Sequence, residues 1–223
     1  MKTILILLFL SLAIILPLSA LATCATTDAP NNQAWIAVRD TNGKPLNASN
    51  RYWIRPAYTT MDTGGSRLAN LDDQQQTTTC PKSVVLSNLP TDDGIAVYFT
   101  PKNPNKYQLI LASSPLNIHF YFDSPLCSNF TVWKVDNLVP PLLPPLPNTI
   151  STGAKLGNPN DLSSWFQIWP RKGGNYKLVF YPEGTTFCSN VGFIPQSHRL
   201  VLSEDPMPFV FKLDDKYGVA ADA

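Results

Sequence analysis

The chain has 223 residues, of which 44% are hydrophobic and 15% charged, and its formal net charge is +1. That balance excludes two classes of partner, because nucleic acids and anionic membranes select proteins with a concentrated basic face. We therefore expect no nucleic-acid partner and no membrane partner, and a core that needs no metal.

Residues 1–22 have the pattern of a secretory signal peptide. Lys2 gives a positive start, residues 4–18 are almost wholly apolar, and Ala20 and Ala22 place small residues where a signal peptidase cuts. An uncleaved membrane anchor is disfavoured, because the apolar run is shorter than the ~20 residues that span a bilayer. We expect residues 23–223 to form the secreted protein, extracellular or vacuolar, with a length that suits one all-β domain or two small ones.

Short strand signals recur along the whole chain, whereas no window has a sustained helical period. Prolines (21) and glycines (11) interrupt the sequence every few residues. Each signal is rich in β-branched or aromatic residues and is bounded by turn residues. Twelve such runs in one secreted domain predict an all-β barrel or sandwich. In chain order they are AWIAV, RYWIRPA, SVVLS, IAVYF, YQLIL, LNIHFYF, FTVWKV, WFQIW, YKLVFYP, NVGFI, RLVLS and FVFKL.

A stiff, lysine-bearing loop lies between two of these strand signals, in TPKNPNKYQLILASSPLNIHFYF. Pro101 and Pro104 fix φ in the first part of this loop, which also carries Lys102 and Lys106. The residues alone leave two interpretations open. The loop is a simple turn, or it is a surface offered to a partner that binds a lysine.

The four cysteines are Cys24, Cys80, Cys127 and Cys188. An even number in a secreted chain indicates disulfides, and three pairings are consistent with the residues alone. The wide spacings exclude a zinc ribbon, which needs close cysteine pairs.

Three other segments concern the predicted surface of the protein. Asn47-Ala48-Ser49 and Asn129-Phe130-Thr131 are N-glycosylation acceptors. The proline-rich insert VPPLLPPLPN, residues 139–148, is interpreted as a stiff surface loop rather than a polyproline ligand, because the domains that bind such ligands are mainly intracellular.

The sequence does not indicate an enzyme. It has no nucleophile elbow, no HExxH pair and no phosphate loop. His119 falls in an alternating strand signal and His198 in a turn, so both are interpreted as structural. We expect no metal and no cofactor.

Several motifs, taken in order, resemble the plant Kunitz-type (soybean trypsin inhibitor-like) family, which includes miraculin-like and tuber storage proteins. The resemblance runs from about Ala37 to Leu213. It implies a single β-trefoil domain of twelve strands in three pseudo-repeats, stabilised by disulfides and expected to be a monomer. The motifs are VRDTNGKPLNASNRYWIRPA, GGSRLAN, CPKSVVLS, PLNIHF, PLCSNFTVWKVDN, WFQIWP, YKLVFYP, CSNVGF and RLVLSEDPMPFVFK.

The resemblance also implies that Cys80 pairs with Cys127, which closes a loop of 47 residues. Loop entropy gives such a bond roughly 4 kcal/mol as an upper figure. The family's second disulfide is absent in its usual form, because one of its positions is Tyr181. Cys188 matches the other position, and we expect it to pair with Cys24, the remaining thiol; the alternative is a Cys188 that is free or pairs between molecules.

Family members that inhibit serine proteases present a substrate-like loop between their fourth and fifth strands. Alignment on SPLNIHF implies that the scissile bond is Lys106–Tyr107, supported by Pro104 and Asn105. Lysine suits the carboxylate-bearing specificity pocket of a trypsin-like protease.

The family braces this loop with an asparagine from its first loop. Counting from Gly43 puts that place on Ala48, with Asn47 one residue earlier. The predicted function is inhibition of a trypsin-like serine protease. Inhibition of another protease class and a non-inhibitory role in storage, defence, taste modification or ligand binding are the alternatives.

Overall fold

The structure is a computed structural model that describes residues 36–58, 62–71, 80–123, 127–138, 148–182 and 187–215. The predicted signal peptide, Cys24 and residues 139–147 of the proline-rich insert lie outside these ranges. Within them, no helix has the length and apolarity needed to cross a membrane.

The described residues form twelve strands and one short 3-10 helix between β7 and β8, Leu162–Ser164. The strands are β1 Tyr52–Pro56, β2 Ser66–Ala69, β3 Ser83–Leu86, β4 Val97–Pro101, β5 Leu116–Phe120, β6 Val132–Val135, β7 Ile150–Ala154, β8 Phe166–Pro170, β9 Tyr176–Phe180, β10 Ser189–Phe193, β11 Leu200–Ser203 and β12 Phe209–Leu213.

Six of these strands close a barrel. The antiparallel pairs β1–β12, β4–β5 and β8–β9 have five residue pairs each. Pairs between β1 and β4, β5 and β8, and β9 and β12 join them into a ring. Alternate side chains point inward, so that Ile54, Phe99 and Phe211 are fully buried. The rings of Phe99 and Phe211 pack edge to face at 5.3 Å between centroids.

Three hairpins, β2–β3, β6–β7 and β10–β11, cover one end of the barrel. They meet through the pairs Ser83↔Ser151, Val85↔Arg199 and Thr149↔Val201. Three barrel pairs and three covering hairpins make a β-trefoil, so the fold implied by the family resemblance is confirmed. The β4–β5 and β8–β9 connections lie at the opposite, open end, because each follows a strand that runs away from the hairpins.

Two of the twelve predicted strands differ from the observed ones. YQLIL, residues 107–111, forms only isolated bridges at Leu109 and Leu111, since Gln108 has φ +56°. AWIAV likewise contributes one bridge, at Ala37, among its described residues. β2 and β7 were not predicted, because SRLA has no β-branched residue and ISTGA contains Gly153, at φ +118°.

The two glycines of GGSRLAN, Gly64 and Gly65, lie where two chain segments are in backbone contact. A Cβ added to Gly65 would lie 1.8 Å from the carbonyl oxygen of Asp93, and one added to Gly64 would lie 2.2 Å from that of Leu89. Both distances are below any real contact, so only glycine allows the segment before β2 to pack against the 87–95 loop.

Cys80 and Cys127 form a disulfide with a Cα–Cα distance of 5.6 Å, as the resemblance implies. The bond joins the chain before β3 to the chain after β5 and spans 47 residues. Cys188 is also disulfide-bonded, and Cys24, its predicted partner, lies outside the described residues.

Candidate functional site

The β4–β5 loop, residues 102–115, contains a hydrogen-bonded turn at residues 105–108. The Gln108 amide donates to the Asn105 carbonyl at 3.0 Å, which places Lys106 and Tyr107 at the two central positions. Both side chains are exposed, Tyr107 by 64%, and the Lys106 ammonium lies 4.6 Å from the centroid of the Tyr107 ring. We call these two residues the loop tip. They present a cation and a peptide bond at the open end of the barrel.

The side chain of Asn105 cross-links the loop just behind the tip. Its Oδ1 accepts from the Tyr107 amide at 3.0 Å and from the Leu109 amide at 3.1 Å. Its Nδ2 donates to the Leu109 carbonyl at 2.7 Å. Three bonds from one amide side chain fix the two sides of the turn relative to each other.

The trailing side of the loop is held between two stretches of the leading segment, residues 36–50. The Ile110 amide donates to the Leu46 carbonyl at 3.0 Å, and the Ile110 carbonyl accepts from the Val38 amide at 2.9 Å. The Ala48 amide donates to the Gln108 carbonyl at 2.8 Å. Ile110 is thus bonded through both its amide and its carbonyl, and its side chain is fully buried. This side of the loop is therefore held in place.

Asn47 supports the loop tip from behind. Its Nδ2 donates to the Tyr107 carbonyl at 3.1 Å. Its own amide donates to the hydroxyl of buried Tyr52 at 2.9 Å, which fixes the backbone that carries it. Counting from Gly43 to place the bracing residue at Ala48 was therefore wrong by one position, because Ala48 contributes only its backbone amide.

The leading side of the loop departs from β4 at Pro101, which pairs with Leu116 in the barrel. The Lys102 amide then donates to the Pro115 carbonyl at 2.9 Å, and the Lys102 ammonium lies 5.5 Å from the ring centroid of buried Trp165. Pro104 is exposed next to Asn105. Of the two lysines in this loop, Lys102 is therefore directed toward the barrel wall and Lys106 lies at the tip.

The two histidines make packing contacts, His119 in β5 and His198 in the turn between β10 and β11. His119 Nε2 lies 3.2 Å from the Thr100 hydroxyl, and its ring stacks on Tyr98 at 5.3 Å. Burial lowers the pKa of His119 to about 4. His198, at φ +56°, donates its amide to the Ile194 carbonyl at 2.7 Å.

Asn129, the second predicted glycosylation acceptor, is exposed in the turn that follows Cys127. The turn is closed by the Phe130 amide, which donates to the Cys127 carbonyl at 2.9 Å. Because it connects β5 to β6, this turn lies toward the hairpin-covered end of the barrel and away from the loop tip.

A polar cleft of about 420 Å3 opens among the covering hairpins. The cations Lys82, Lys134 and Arg199 line it together with the carboxylate of Asp136. That carboxylate accepts from the Ser151 hydroxyl at 2.6 Å and lies 3.2 Å from the Lys134 ammonium. Arg199 lies 3.8 Å from the same carboxylate, so among the described lining residues three cations face one acid.

Lys106, Asn105 and Asn47 are candidates from the sequence, and the structure places them at the loop tip or directly behind it. Sequence reasoning did not point to the residues that contact them. Nothing in the sequence distinguishes Tyr52 from an ordinary core tyrosine, because its supporting role depends on a hydroxyl that reaches a backbone five positions away. The Val38–Ile110 and Leu46–Ile110 contacts are backbone bonds between distant segments. Such bonds have no side-chain signature.

Comparison with known proteins gives a consistent family. The family model for legume Kunitz proteins, described as trypsin and protease inhibitor, matches residues 38–213. A 21 kDa seed protein of Theobroma cacao is 30% identical over 200 residues, which cover 83% of this chain and 85% of that protein. Kunitz trypsin inhibitor 5 of Arabidopsis thaliana is 31% identical over 183 residues, with coverage of 78% and 84%.

Solved structures give the same result. A Kunitz-type cysteine protease inhibitor from potato superimposes with a TM-score of 0.64 and 28% identity, covering 80% of this chain and 97% of that one. Soybean trypsin inhibitor in its complex with porcine pancreatic trypsin superimposes with a TM-score of 0.64 and 27% identity, covering 81% and 100%. These similar proteins inhibit more than one class of protease.

Proposed function

We propose that this chain, which belongs to the Kunitz family of trypsin and protease inhibitors, blocks a trypsin-like serine protease by inserting Lys106 into its specificity pocket. The observation that carries the proposal is the loop tip: an exposed lysine next to an exposed peptide bond, held from behind by Asn47. The protein acts as a secreted inhibitor and carries out no catalysis of its own.

The chemistry of the tip fits this role. A trypsin-type pocket ends in a carboxylate that attracts a long cation, and Lys106 is the lysine at the tip. The exposed Lys106–Tyr107 peptide bond lies beside it, where a substrate's scissile bond would lie. Soybean trypsin inhibitor, which shares this fold, has a solved structure in complex with porcine pancreatic trypsin.

The energetics favour tight docking. A loop that is already ordered loses little conformational entropy on binding, and Asn47, Asn105 and Ile110 order both sides of this one.

The test is a titration of the oxidised, unglycosylated protein, residues 23–223, against trypsin, chymotrypsin and a papain-like cysteine protease. We expect trypsin to be inhibited in a one-to-one ratio and the other two to be inhibited far less. Trypsin activity that does not change at equimolar or tenfold excess inhibitor would overturn the proposal. Selective inhibition of the cysteine protease would assign the protein to another inhibitor class.

A second candidate function, binding of a small anion, is favoured by the cleft among the hairpins. Lys82, Lys134 and Arg199 line it with one carboxylate, that of Asp136, and this excess of cations attracts negative charge. Isothermal titration with phosphate and with galacturonate, repeated for Lys82→Ala, tests it. Equal heats for wild type and variant would exclude the cleft as the binding site.

A further inference from the structure

We infer that Asn47 is a modification switch: glycosylation of this residue puts a sugar against the loop tip, disturbs the bond that supports the tip and covers the tip. Asn47 Nδ2 is both the atom that donates to the Tyr107 carbonyl and the atom that would carry the sugar. Each molecule is therefore either an inhibitor with a bare Asn47 or a glycosylated form that docks poorly. This inference rests on the proposed function of the β4–β5 loop.

Asn47 has the geometry of an acceptor. It begins the sequon Asn47-Ala48-Ser49, in which the third residue must carry a hydroxyl. That hydroxyl donates to Asn47 Oδ1 at 2.5 Å, and the Ser49 amide donates to the same oxygen at 2.9 Å. The oxygen side of the amide is thus used locally by the sequon itself, and the nitrogen side is directed to the loop tip.

The modification is a group transfer without oxidation or reduction. The donor is a polyprenyl-pyrophosphate-linked oligosaccharide, used by the oligosaccharyltransferase of the secretory pathway. The bond between sugar C1 and the phosphate oxygen breaks, and a bond between C1 and Asn47 Nδ2 forms. One proton leaves Nδ2 and the polyprenyl pyrophosphate is the leaving group, so one N–H is left on the nitrogen.

The sugar would lie against the loop tip. Nδ2 is 3.1 Å from the Tyr107 carbonyl oxygen, and a single C–N bond is about 1.45 Å long. The first sugar carbon therefore falls within about 4.6 Å of that oxygen, whichever amide hydrogen it replaces. A sugar ring at this distance displaces the loop backbone or the bond that holds it.

The same sugar would obstruct a protease. A protease–inhibitor interface buries about 800 Å2 on each partner, and here it would be centred on Lys106. Tyr107 follows Lys106 directly, so a glycan next to its carbonyl lies inside that area. Glycosylation thus acts twice, by crowding the bond that supports the tip and by occupying the contact surface.

Asn129 provides the internal control. It is an exposed acceptor in the turn between β5 and β6, toward the end of the barrel that the hairpins cover. A glycan there is remote from the loop tip. We therefore expect occupancy at Asn129 to leave inhibition unchanged and occupancy at Asn47 to decide it.

The experiment uses the full chain secreted from a eukaryotic host, with the forms glycosylated and not glycosylated at Asn47 separated and their occupancy measured by mass spectrometry. The glycosylated form should inhibit trypsin about a hundredfold or more less tightly, a loss of two factors of ten in affinity. Ser49→Ala removes the sequon and the hydroxyl bond to Asn47 Oδ1 but keeps the bond from the residue 49 amide to that oxygen. It should give protein without sugar at Asn47 that inhibits far more tightly than the glycosylated form. Asn129→Gln should leave both forms present, each with its original affinity.

A further treatment separates the two effects of the sugar. Amidase release of the glycan converts Asn47 to aspartate, which has no N–H to donate. The obstruction is then removed, but the donor to the Tyr107 carbonyl is lost, so inhibition should recover only in part.

An Asn47 that carries no sugar in the secreted protein, or a glycosylated form that inhibits as tightly as the bare one, would overturn the inference. Amide hydrogen exchange at Ala48, which donates to the Gln108 carbonyl, gives a readout without any protease. It should be faster in the form glycosylated at Asn47. If bare wild-type protein ignores trypsin, the proposed function fails, and the exchange rates still decide whether the sugar displaces the loop.

Discussion

Asn47 and Tyr107 lie sixty residues apart in the sequence, and the side-chain amide of the first donates to the backbone carbonyl of the second at 3.1 Å. The contact joins the leading segment to the tip of the β4–β5 loop. It is a bond to backbone, so it supports the position of the tip whatever side chain residue 107 carries.

Replacing Asn47 should therefore loosen the tip without unfolding the protein. Asn47→Ala removes the donor to Tyr107, and a net loss of about 1 kcal/mol corresponds to a five- to tenfold weaker inhibition of trypsin. The inhibition constant of the unglycosylated protein measures this. Asn42→Ala, an exposed asparagine on the same segment, is the matched control and should inhibit like wild type. Equal inhibition by both variants would show that the bond does not support docking.

Lys106 should carry the specificity. Lys106→Ala should weaken trypsin inhibition about a thousandfold or more, because a buried charged contact contributes several kcal/mol and each 1.4 kcal/mol is tenfold. Lys106→Leu should shift preference toward chymotrypsin-like proteases with no change in thermal stability.

Two lysines serve as controls for general positive charge. Lys102→Ala changes the same loop, and Lys172→Ala changes the β8–β9 connection at the same open end of the barrel. Neither should alter the inhibition constant by more than about twofold. A Lys106→Ala protein that inhibits as well as wild type would mean that another residue enters the pocket.

Gly65→Ala should be severely destabilising. The added carbon would lie 1.8 Å from the Asp93 carbonyl oxygen, so the 87–95 loop must move. That loop is held by the Asp93 carboxylate, which lies 2.7 Å from Arg55 and 2.6 Å from Lys212. We expect a loss of more than about 3 kcal/mol in the free energy of unfolding, measured by urea denaturation.

Gly43→Ala is the control for this substitution. Gly43, unlike Gly65, has a positive φ, of +77°, but an added carbon meets nothing within 4 Å. It should cost only about 1 kcal/mol, the strain of a left-handed conformation. Similar losses at both positions would mean that the close approach at Gly65 is relieved at low cost.

His119 should make stability depend on pH. Its pKa is lowered by burial to about 4, from an ordinary value of 6.5. Between these values the unfolded chain binds a proton that the native protein does not, so stability falls as the pH decreases through this window. The full effect is about 3 kcal/mol for one group. Asp92, whose pKa is lowered chiefly by a hydrogen bond to Ser87, loses its contribution only at lower pH.

The measurement is urea denaturation at intervals between pH 7 and pH 4. His119→Gln should flatten the profile in this range. An unchanged slope in His119→Gln would contradict a buried neutral histidine, and an NMR titration of its ring would show the pKa directly.

The sequence predicts most of the fold, and the reasons for its errors are local. Alternation of large apolar residues identified the barrel strands, because inward side chains such as Phe99 and Phe211 recur at period two. It failed for β2, which has no β-branched residue, and for β7, which contains Gly153 at φ +118°. It also assigned a strand to residues 107–111, where the positive φ of Gln108 interrupts the ladder.

The candidate site was predictable where it depends on residue type and not where it depends on a one-residue offset. A lysine in a proline-stiffened loop is visible in the sequence. The distinction between Asn47 and Ala48 is not, because it depends on which of two adjacent side chains turns toward Tyr107. In the structure it is the Asn47 side chain that donates to the Tyr107 carbonyl, a contact between segments sixty residues apart.

The disulfide between Cys80 and Cys127 changes what hydrolysis at the loop tip would mean. The bond closes a covalent ring that includes Lys106 and Tyr107, so cutting between them opens the ring and does not divide the molecule. The new ends stay at the high effective concentration of a short tether, which favours resealing of the bond. A cut molecule would migrate as one species in a denaturing gel without reductant. It would separate into two fragments, ending and beginning at these residues, only after reduction.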